Sequence, residues 1–360
     1  MSLRALVWPS GEERVRLLRI QLRVAVWCSL VGVVYAYVIP PRWETDSYMY
    51  AFAVWAATLI RTFEPHLGVA LCVAALVGWL IKMRKTALIA CVLGLVLLAP
   101  TLYAARPKAG ADGGADAAAG ERLRVVSVNL YYMNKQKNEL AGLIESLDAD
   151  VLLFQEYTPD WHEALSGLRG GYEYTSVVAD ASTTGMAFYS RVPVVGEAET
   201  FDPIGYGHHP QMRAVVEVGG ERLTLFNIHT IMPLTIRRSM VSRHRQTGGL
   251  LEAILGASDE ARQNGGGVIA AGDFNWTNTS PAGAALEWGG MRDGLDASGW
   301  GLKLTWPILT DFGRWPLPAI RIDHAYVSEA VVCYRADVMD APGSDHRLVL
   351  IELGIGGAID

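Results

Sequence analysis

The sequence predicts an α/β protein in which two packed sheets, flanked by helices, follow an N-terminal membrane anchor. Three observations support this prediction. The 360 residues are 51% hydrophobic and only 19% charged, with a mean hydropathy of +0.21, which is too apolar for a wholly soluble chain. Residues 1–105 contain 10 basic and 5 acidic residues, whereas the remainder contains 21 and 32, so net charges of +5 and −11 divide the chain. From residue 122 onward, short β-rich runs alternate with a few helical segments.

The composition also excludes several classes of protein. It does not fit a disordered chain, a collagen-like repeat or a disulfide-rich miniprotein. A net charge of −11 makes the globular part a poor binder of the nucleic-acid backbone. Cys333 is the only cysteine in that part, so an internal disulfide there is impossible.

Three charge-free stretches, residues 24–41, 65–81 and 86–105, are long enough to approach a bilayer span. A helix rises about 1.5 Å per residue, so roughly 20 residues cross a hydrocarbon core of about 30 Å. The domain boundaries predicted are therefore an anchor at 1–105 with three transmembrane helices, a small-residue flexible linker at 106–121, and a globular domain at 122–360. A shorter apolar piece, Ser47 to Ile60, contains Tyr48, Tyr50 and Trp55 and is predicted to lie on the membrane surface.

Basic residues predict the orientation. With three spans, both basic clusters fall on the cytoplasmic side and the globular domain lies outside the cytoplasm, whereas a fourth span would move the second cluster outside. A cleaved signal peptide at 24–41 is the alternative, but two further apolar segments follow it. The first cluster is Arg4, Arg14, Arg16, Arg19 and Arg23, and the second is Lys82, Arg84 and Lys85.

The globular part contains predicted strands and helices whose apolar pattern follows periods of 2 and 3.6. The predicted helices are 138–147, with apolar residues on one face, a long one at 237–263 and a short one at 281–288. The predicted strands are 123–130, 150–154, 172–178, 186–190, 194–200, 213–218, 223–229, 267–271, 322–327, 331–338 and 347–353.

Polar side chains follow many of these strands at the point where the apolar run ends. One such residue is usually a turn former, but six places in one chain indicate a site. The groups are Asn129, Gln155-Glu156, Asn227 to His229, Asp273-Phe274-Asn275, Asp323-His324 and Ser344-Asp345-His346.

Oxygen ligands without cysteine suit a hard divalent cation, Mg²⁺ or Mn²⁺, which binds through carboxylates and substrate phosphate. Histidines beside aspartates can orient or deprotonate a water and stabilise a phosphoryl oxygen. The set therefore predicts metal-assisted hydrolysis of a phosphate ester.

Residues 122–353 resemble the endonuclease/exonuclease/phosphatase family, the metal-dependent superfamily of DNase I and exonuclease III. The resemblance implies a four-layer αββα sandwich, with two sheets inside and helices outside. The most specific elements are Gly272-Asp273-Phe274-Asn275 and Ser344-Asp345-His346. The other matching elements are 127–129, 155–156, 185–191, 227–230 and 321–324.

The resemblance also implies roles for individual residues. Asn129, Glu156 and Asp345 are implied as metal ligands, with Glu156 the most direct. Asp273 is implied to orient or deprotonate the attacking water, while Asn275 and His229 contact the phosphate. His346, held by Asp345, is implied to complete the acid/base set, with Asp323 in support. His324 stands where an aromatic or apolar residue is common in the family, and we interpret it as structural.

The substrate is less constrained. Arg237, Arg238 and Arg243 form a candidate clamp for an anionic headgroup, although a solvated helix face is the alternative interpretation. A loop rich in Trp and Pro, including Trp306 and Trp315, either caps the core or enters the lipid interface. The architecture resembles bacterial membrane proteins associated with glycopeptide resistance, which suggests a lipid phosphate such as a polyprenyl carrier.

We therefore expect a membrane-anchored, Mg²⁺-dependent phosphohydrolase in the cell membrane, with an extracytoplasmic catalytic domain. Its expected partners are the lipid bilayer and a phosphorylated lipid substrate, with monoester and diester cleavage both open. The alternatives are an extracytoplasmic nuclease and a non-catalytic binding module that has kept the fold.

Overall fold

A computed structural model describes residues 11–39, 42–43, 47–106, 122–204, 209–233, 238–297, 300–307 and 320–355. Most of the predicted linker, Arg237, and the part of the Trp-Pro loop that contains Trp315 lie outside the described residues.

The N-terminal region consists of four helices, α1 (Gly11–Val38), α2 (Tyr48–Thr62), α3 (Glu64–Leu80) and α4 (Arg84–Ala104). Of the described helices, α1 and α4 are each long and apolar enough to cross a membrane. The pair α2 and α3 is bent by 60° and passes the same test only if it counts as one broken span. The expected three spans are therefore two, or three with this bent pair included.

Close packing and polar contacts organise the helices of the anchor. Gly68 of α3 and Gly94 of α4 face each other, and a Cβ at either position would lie within 3.0 Å of the other's carbonyl oxygen. At the turn that joins these helices, Nη2 of Arg19 donates to the carbonyl oxygen of Ile81 at 3.0 Å. The two basic clusters are thus brought to the same end of the helices.

The remaining elements alternate between strands and helices. They are β1 (Arg122–Asn129), α5 (Lys137–Ser146), β2 (Val151–Gln155), α6 (Pro159–Ala164), α7 (Ser166–Arg169), β3 (Tyr174–Val178), β4 (Met186–Ser190), β5 (Glu199–Phe201), β6 (Gln211–Val218), β7 (Glu221–His229), α8 (Arg238–Asn264), β8 (Gly267–Asp273), α9 (Pro281–Trp288), β9 (Arg292–Asp293), α10 (Gly294–Ala297), β10 (Asp323–Val327), β11 (Val331–Asp340) and β12 (Arg347–Ile355).

Within the described residues, these strands form two six-stranded mixed sheets, ordered β11-β12-β1-β2-β4-β3 and β5-β6-β7-β8-β10-β9. Residues such as Val125 and Ile269 pack between the sheets. Helices α5 and α6 cover the first sheet through Leu140 and Trp161, and α8 and α9 cover the second. The α/β fold with two sheets inside and helices outside is confirmed.

One predicted strand is shorter than expected. Instead of a strand from Val194 to Thr200, an isolated bridge joins Val194 to Val216, and pairing resumes only at Glu199. Gly196 interrupts the pairing because its φ of 80° lies outside the extended region.

Helix α2 contacts the globular domain directly. Nε1 of Trp55 donates to the carbonyl oxygen of Pro233 at 2.6 Å, and Oγ1 of Thr279 donates to the carbonyl oxygen of Arg61 at 2.9 Å. Beyond the end of α4, the amide of Gly301 donates to the carbonyl oxygen of Ala105 at 3.0 Å. The N-terminal helices therefore dock on the globular domain instead of being connected to it by the chain alone.

Candidate active site

The predicted site residues converge because the strands that carry them end at one edge of the sandwich. In the first sheet, β1 and β2 are parallel, and Asn129 lies opposite Gln155. In the second sheet, β7 and β8 are parallel and place His229 opposite Asp273, which also lies opposite Asp323 of the antiparallel β10. The two sheets thus bring their polar strand ends together across a single cleft.

The Gly-Asp-Phe-Asn element positions Asp273 and Asn275. Gly272 has a φ of 144°, and a Cβ there would lie 2.0 Å from the carbonyl oxygen of Ile228, so only glycine fits. Oδ1 of Asp273 accepts the Asn275 amide at 2.9 Å, and Nδ2 of Asn275 donates to the carbonyl oxygen of Thr230 at 2.9 Å. With φ of 49°, Asn275 adopts the left-handed conformation that asparagine tolerates.

Glu156 projects into the cleft from the end of β2, where its own φ is 55°. Its oxygens accept hydrogen bonds from Nδ2 of Asn129 at 3.3 Å and from the amide of Tyr132 at 2.9 Å. The same Nδ2 donates to Oδ2 of Asp273 at 3.1 Å. Asn129 therefore bridges the Glu156 and Asp273 carboxylates.

His346 pairs with an aspartate other than the one expected. Its Nδ1 lies 2.9 Å from Oδ2 of Asp323, and its Nε2 lies 3.7 Å from Oδ2 of Asp273. Asp345 instead accepts a hydrogen bond from Nε1 of Trp306 at 3.2 Å. The expectation that Asp345 holds His346 is wrong, because the turn before β12 directs the imidazole toward β10.

Ser344 fixes that turn. Its Oγ accepts the amide of His346 at 3.1 Å and donates to the carbonyl oxygen of Asn129 at 2.7 Å. The start of β12 is thereby attached to the end of β1, and the Ser-Asp-His element is held against the metal-ligand candidates.

Burial and charge move the pKa values of these groups in different directions. Burial lowers the pKa of His346, but the Asp323 and Asp273 carboxylates outweigh it and raise that pKa above the usual value. Burial, together with the nearby His346 and His209, lowers the pKa of His229 to about 3. Burial raises the pKa of Asp273. At neutral pH the site therefore contains a protonated His346 and a neutral His229.

The donor set fits a hard divalent cation. Burial raises the pKa of Glu156, and the nearby Asp345 adds to the effect, so this carboxylate lacks sufficient compensating charge. A cation at Glu156 would supply that charge through oxygen ligands. Asn129 turns its Nδ2 toward the carboxylates, and its Oδ1 accepts the amide of Tyr131 at 3.0 Å. Ligand atoms of Asp273, Asp323 and His346 also lie within 4.8 Å of one another. A metal ligand must be deprotonated, however, and the protonated His346 is better suited to proton transfer.

Six of the candidates line a cleft of about 530 Å³, and the N-terminal helices contribute part of its wall. Leu59, Thr62 and Phe63, from the end of α2 and the bend before α3, line the same cleft as the catalytic candidates. The candidates that line the cleft are Glu156, His229, Asp273, Asn275, Asp345 and His346.

Of the three arginines of the candidate headgroup clamp, Arg243 is the one whose side chain the structure describes. Arg243 is buried beneath the site, where Nε donates to the carbonyl oxygen of Ile231 at 3.0 Å and Nη2 to that of Asn275 at 3.3 Å. Arg243 thus supports the backbone of the cleft. The backbone of Arg238 begins α8, whereas its side chain lies outside the described residues.

His324 is wholly buried away from the cleft. Its Nδ1 lies 2.7 Å from Oδ2 of Asp293, and its Nε2 lies 2.9 Å from the carbonyl oxygen of Trp276. Arg321 donates two hydrogen bonds of 2.7 Å to Asp296 and lies 3.3 Å from Asp293. These contacts are those of a structural histidine.

Several supporting residues were not found by sequence reasoning. The amide of Tyr132 and the side chain of Gln211 both hold site residues, and Trp306, which the sequence placed in a core-capping or lipid-docking loop, holds Asp345. Oε1 of Gln211 accepts the amide of His229 at 2.7 Å, and its Nε2 donates to the carbonyl oxygen of His229 at 2.8 Å. Gln211 lies at the start of β6, directly opposite the end of β7, so strand pairing was the available signal. Backbone donors such as Tyr132 have no sequence signal.

A sandwich of two mixed sheets with carboxylates, amides and imidazoles at one edge defines a phosphoesterase fold. The chain belongs to the endonuclease/exonuclease/phosphatase family, whose model matches residues 126–346. Members of this family are phosphoester hydrolases that usually depend on a metal. No curated protein matches the chain.

Solved structures show the same fold. An endonuclease/exonuclease/phosphatase family protein from Bacteroides thetaiotaomicron is 21% identical, with a TM-score of 0.52 and coverage of 66% of this chain and 99% of that one. A family protein from Bacteroides vulgatus is 18% identical, with a TM-score of 0.50 and coverage of 66% and 100%. Truncated TDP2 from Caenorhabditis elegans is 16% identical, with a TM-score of 0.50 and coverage of 65% and 97%.

Proposed function

We propose that this protein is a membrane-anchored, divalent-metal-dependent phosphohydrolase that cleaves a lipid phosphate or phosphodiester outside the cytoplasm. The observation that carries the proposal is that Leu59, Thr62 and Phe63 of the anchor line the same cleft as Glu156 and His346. A phosphate reaching this cleft is therefore adjacent to helices that enter the membrane, and lipid headgroups meet it at high effective concentration.

The chemistry follows from the charges in the cleft. Asp273, whose pKa burial raises, orients the attacking water and accepts its proton. His346, protonated between Asp323 and Asp273, donates a hydrogen bond to a phosphoryl or leaving-group oxygen. Asn275 and neutral His229 contact the remaining phosphate oxygens.

The arrangement of the anchor supports the outward orientation. The contact between Arg19 and Ile81 gathers the two basic clusters at one end of the helices. Contacts with the catalytic domain occur at Arg61 and Ala105, near the opposite ends of α3 and α4. Because basic residues favour the cytoplasmic side, the catalytic domain belongs outside.

A nuclease is the alternative activity. It requires a surface that attracts the phosphate backbone, and the −11 charge of residues 106–360 opposes that attraction. A non-catalytic binding module is a further alternative, which the filled site positions disfavour.

The full chain in proteoliposomes tests the activity. Polyprenyl phosphate, phosphatidic acid, a phospholipid diester and single-stranded DNA are supplied separately, with Mg²⁺ or with EDTA. We expect hydrolysis of a lipid substrate that EDTA abolishes, and a sharp loss in Glu156→Gln that higher Mg²⁺ partly restores. Hydrolysis of DNA alone would support the nuclease, and hydrolysis of none would support a binding module.

Orientation needs a separate experiment. Protease added to intact spheroplasts should digest residues 122–360, while permeabilised cells provide the control for cleavage on both sides. Full protection in the intact spheroplasts would overturn the outward orientation.

A further inference from the structure

A second cavity lies at the junction between the anchor and the catalytic domain. Its volume is about 440 Å³, within the roughly 300–1,000 Å³ typical of ligand pockets. The ends of α3 and α4 form one side, through residues such as Val69 and Leu98, and the segments around Leu302 and Ile320 form the other. The N-terminal helices and the catalytic domain therefore each form one wall of the cavity.

This cavity adjoins the active-site cleft. Thr62 and Ile320 line both spaces, so they form the boundary between them. On the anchor side, Val69 and Leu102 line the cavity and are also 55% and 61% exposed on the apolar helix surface. In a bilayer these two side chains contact lipid, so the cavity extends from the lipid-facing surface toward the catalytic groups.

The boundary has an unsatisfied polar atom. Thr58, one turn earlier in α2, donates its Oγ1 to the carbonyl oxygen of Val54 at 2.8 Å, as helical threonines commonly do. Within the part of the chain that the structure describes, Oγ1 of Thr62 is buried without a hydrogen-bond partner, although the residue is only 4% exposed. Nδ1 of His66, which lines the same cavity, is likewise buried without a hydrogen-bond partner among the described residues. An unpaired buried hydroxyl is costly, so this position favours the oxygen of a water or of a bound ligand.

We infer that this junction cavity holds the hydrocarbon chain of the lipid phosphate substrate while the phosphate lies in the cleft. The inference rests on the proposed function and adds to it a site for the tail. The apolar part of the wall, formed by residues such as Val69, Leu98 and Leu302, receives the chain. The hydroxyl of Thr62 meets an oxygen of the phosphate ester where head and tail join. The single cavity accommodates one chain beside the phosphate, and its lipid-facing side provides entry from the bilayer.

A filling substitution tests the tail site. Ala104 of α4 lines the cavity, and Ala104→Trp should fill part of it. The matched control is Ala99→Trp, an exposed position on the same helix that does not line the cavity. Each variant in detergent micelles is assayed on methyl, hexyl and dodecyl phosphates and on the corresponding alkyl p-nitrophenyl diesters.

For the wild type and Ala99→Trp, kcat/KM should rise at least 10-fold from the methyl to the dodecyl compound. In Ala104→Trp this rise should disappear, while turnover of the methyl compound stays within about twofold. Thr62→Val, which keeps the shape and removes the hydroxyl, should reduce kcat/KM for the dodecyl compound several-fold. A folded Ala104→Trp protein that keeps its preference for long chains would overturn the tail site.

A photoreactive probe separates this inference from the proposed function. Dodecyl phosphate with a diazirine in mid-chain should label peptides that contain Val69, Leu98 or Leu102 in the wild type but not in Ala104→Trp. Labelling there without hydrolysis of any substrate would contradict the phosphohydrolase and retain the tail site. Hydrolysis with labelling spread evenly over lipid-facing α1 would retain the phosphohydrolase and contradict the tail site.

Discussion

Two Asp–His pairs, Asp323–His346 and Asp293–His324, each use one of two adjacent residues of β10 and have opposite surroundings. Asp323 and His324 are successive residues of β10, so their side chains point to opposite faces of the sheet. Asp323 turns toward the cleft and pairs with His346, among the carboxylates of Asp273 and Glu156. His324 turns away and pairs with Asp293, which Arg321 also contacts.

The difference lies in the cation and in access. Around His324, the guanidinium of Arg321 contacts both Asp293 and Asp296, and both histidine nitrogens have partners. Around His346, the imidazole itself pairs with the Asp323 carboxylate near Asp273, and it lines an open cleft. The same pair of residue types therefore stabilises the fold in one place and is available for chemistry in the other.

The largest expected effect is on stability, at the pair that faces away from the cleft. Asp293→Asn removes the charge that pairs with buried His324 and Arg321, while Arg321 keeps Asp296. Losing hydrogen bonds to a charged group costs about 1.5–3 kcal/mol each. Asp259→Asn, at an exposed ion pair with Arg262, should change the free energy of unfolding by less than about 1 kcal/mol. Thermal or denaturant unfolding of both variants measures the contrast, and equal losses would contradict it.

The second prediction concerns activity, and it compares the histidine in the cleft with the buried one. His346→Ala should lower kcat by on the order of 100-fold for every substrate, since the imidazole acts in the transition state. His324→Ala should lower the melting temperature, while its folded fraction keeps kcat within about threefold. Undiminished turnover in His346→Ala, or an equal loss of kcat in His324→Ala, would contradict the division of roles between the two histidines.

Sequence reasoning could identify the cleft side of this comparison because its residues follow apolar strands. An apolar strand ends at or just before each of four of them, and strand pairing brings these strand ends together. They are Asn129, Glu156, Asp273 and Asn275. The partner of His346 could not be identified in the same way. Asp345 is its neighbour in the chain, but the turn and Ser344 direct the imidazole toward Asp323, which is 23 residues distant.

The location of α2 was also beyond the reach of sequence periodicity. Its aromatic residues are typical of an interfacial helix, and nothing in their spacing indicates that Trp55 donates to the carbonyl oxygen of Pro233. Contacts of this kind depend on how two separately predicted regions dock. The same applies to Asp293, which follows no apolar strand and gave no signal of its pairing with His324.

The third prediction concerns how the free energy of unfolding depends on pH. Burial raises the pKa of Asp293, but Arg321 and His324 outweigh it and hold that pKa below its usual range. A carboxylate with a lowered pKa contributes stability that is fully present above its unfolded value of about 3.9. That contribution is lost as the pH falls through the folded value. The wild type should therefore lose stability more steeply below about pH 4 than Asp293→Asn, and parallel unfolding curves against pH would contradict the pairing.

The smallest expected effect concerns Trp306, which the sequence assigned to a loop that caps the core or enters the lipid interface. The indole donates Nε1 to Asp345 at 3.2 Å and lines the cleft beside His346, with ring centroids 6.4 Å apart. Trp306→Phe keeps an aromatic wall and removes only the hydrogen bond, whose loss is worth roughly 1–3 kcal/mol when the acceptor is charged. Because Asp345 lies beside Glu156, we expect the Mg²⁺ concentration for half-maximal activity to rise several-fold, with kcat at saturating Mg²⁺ nearly unchanged.

Trp288→Phe, at a side chain that is 82% exposed, is the matched control and should leave the Mg²⁺ titration unchanged. If Trp306→Phe instead lowered activity only on bilayer substrates, with a normal Mg²⁺ titration, the indole would act in lipid docking and not through Asp345.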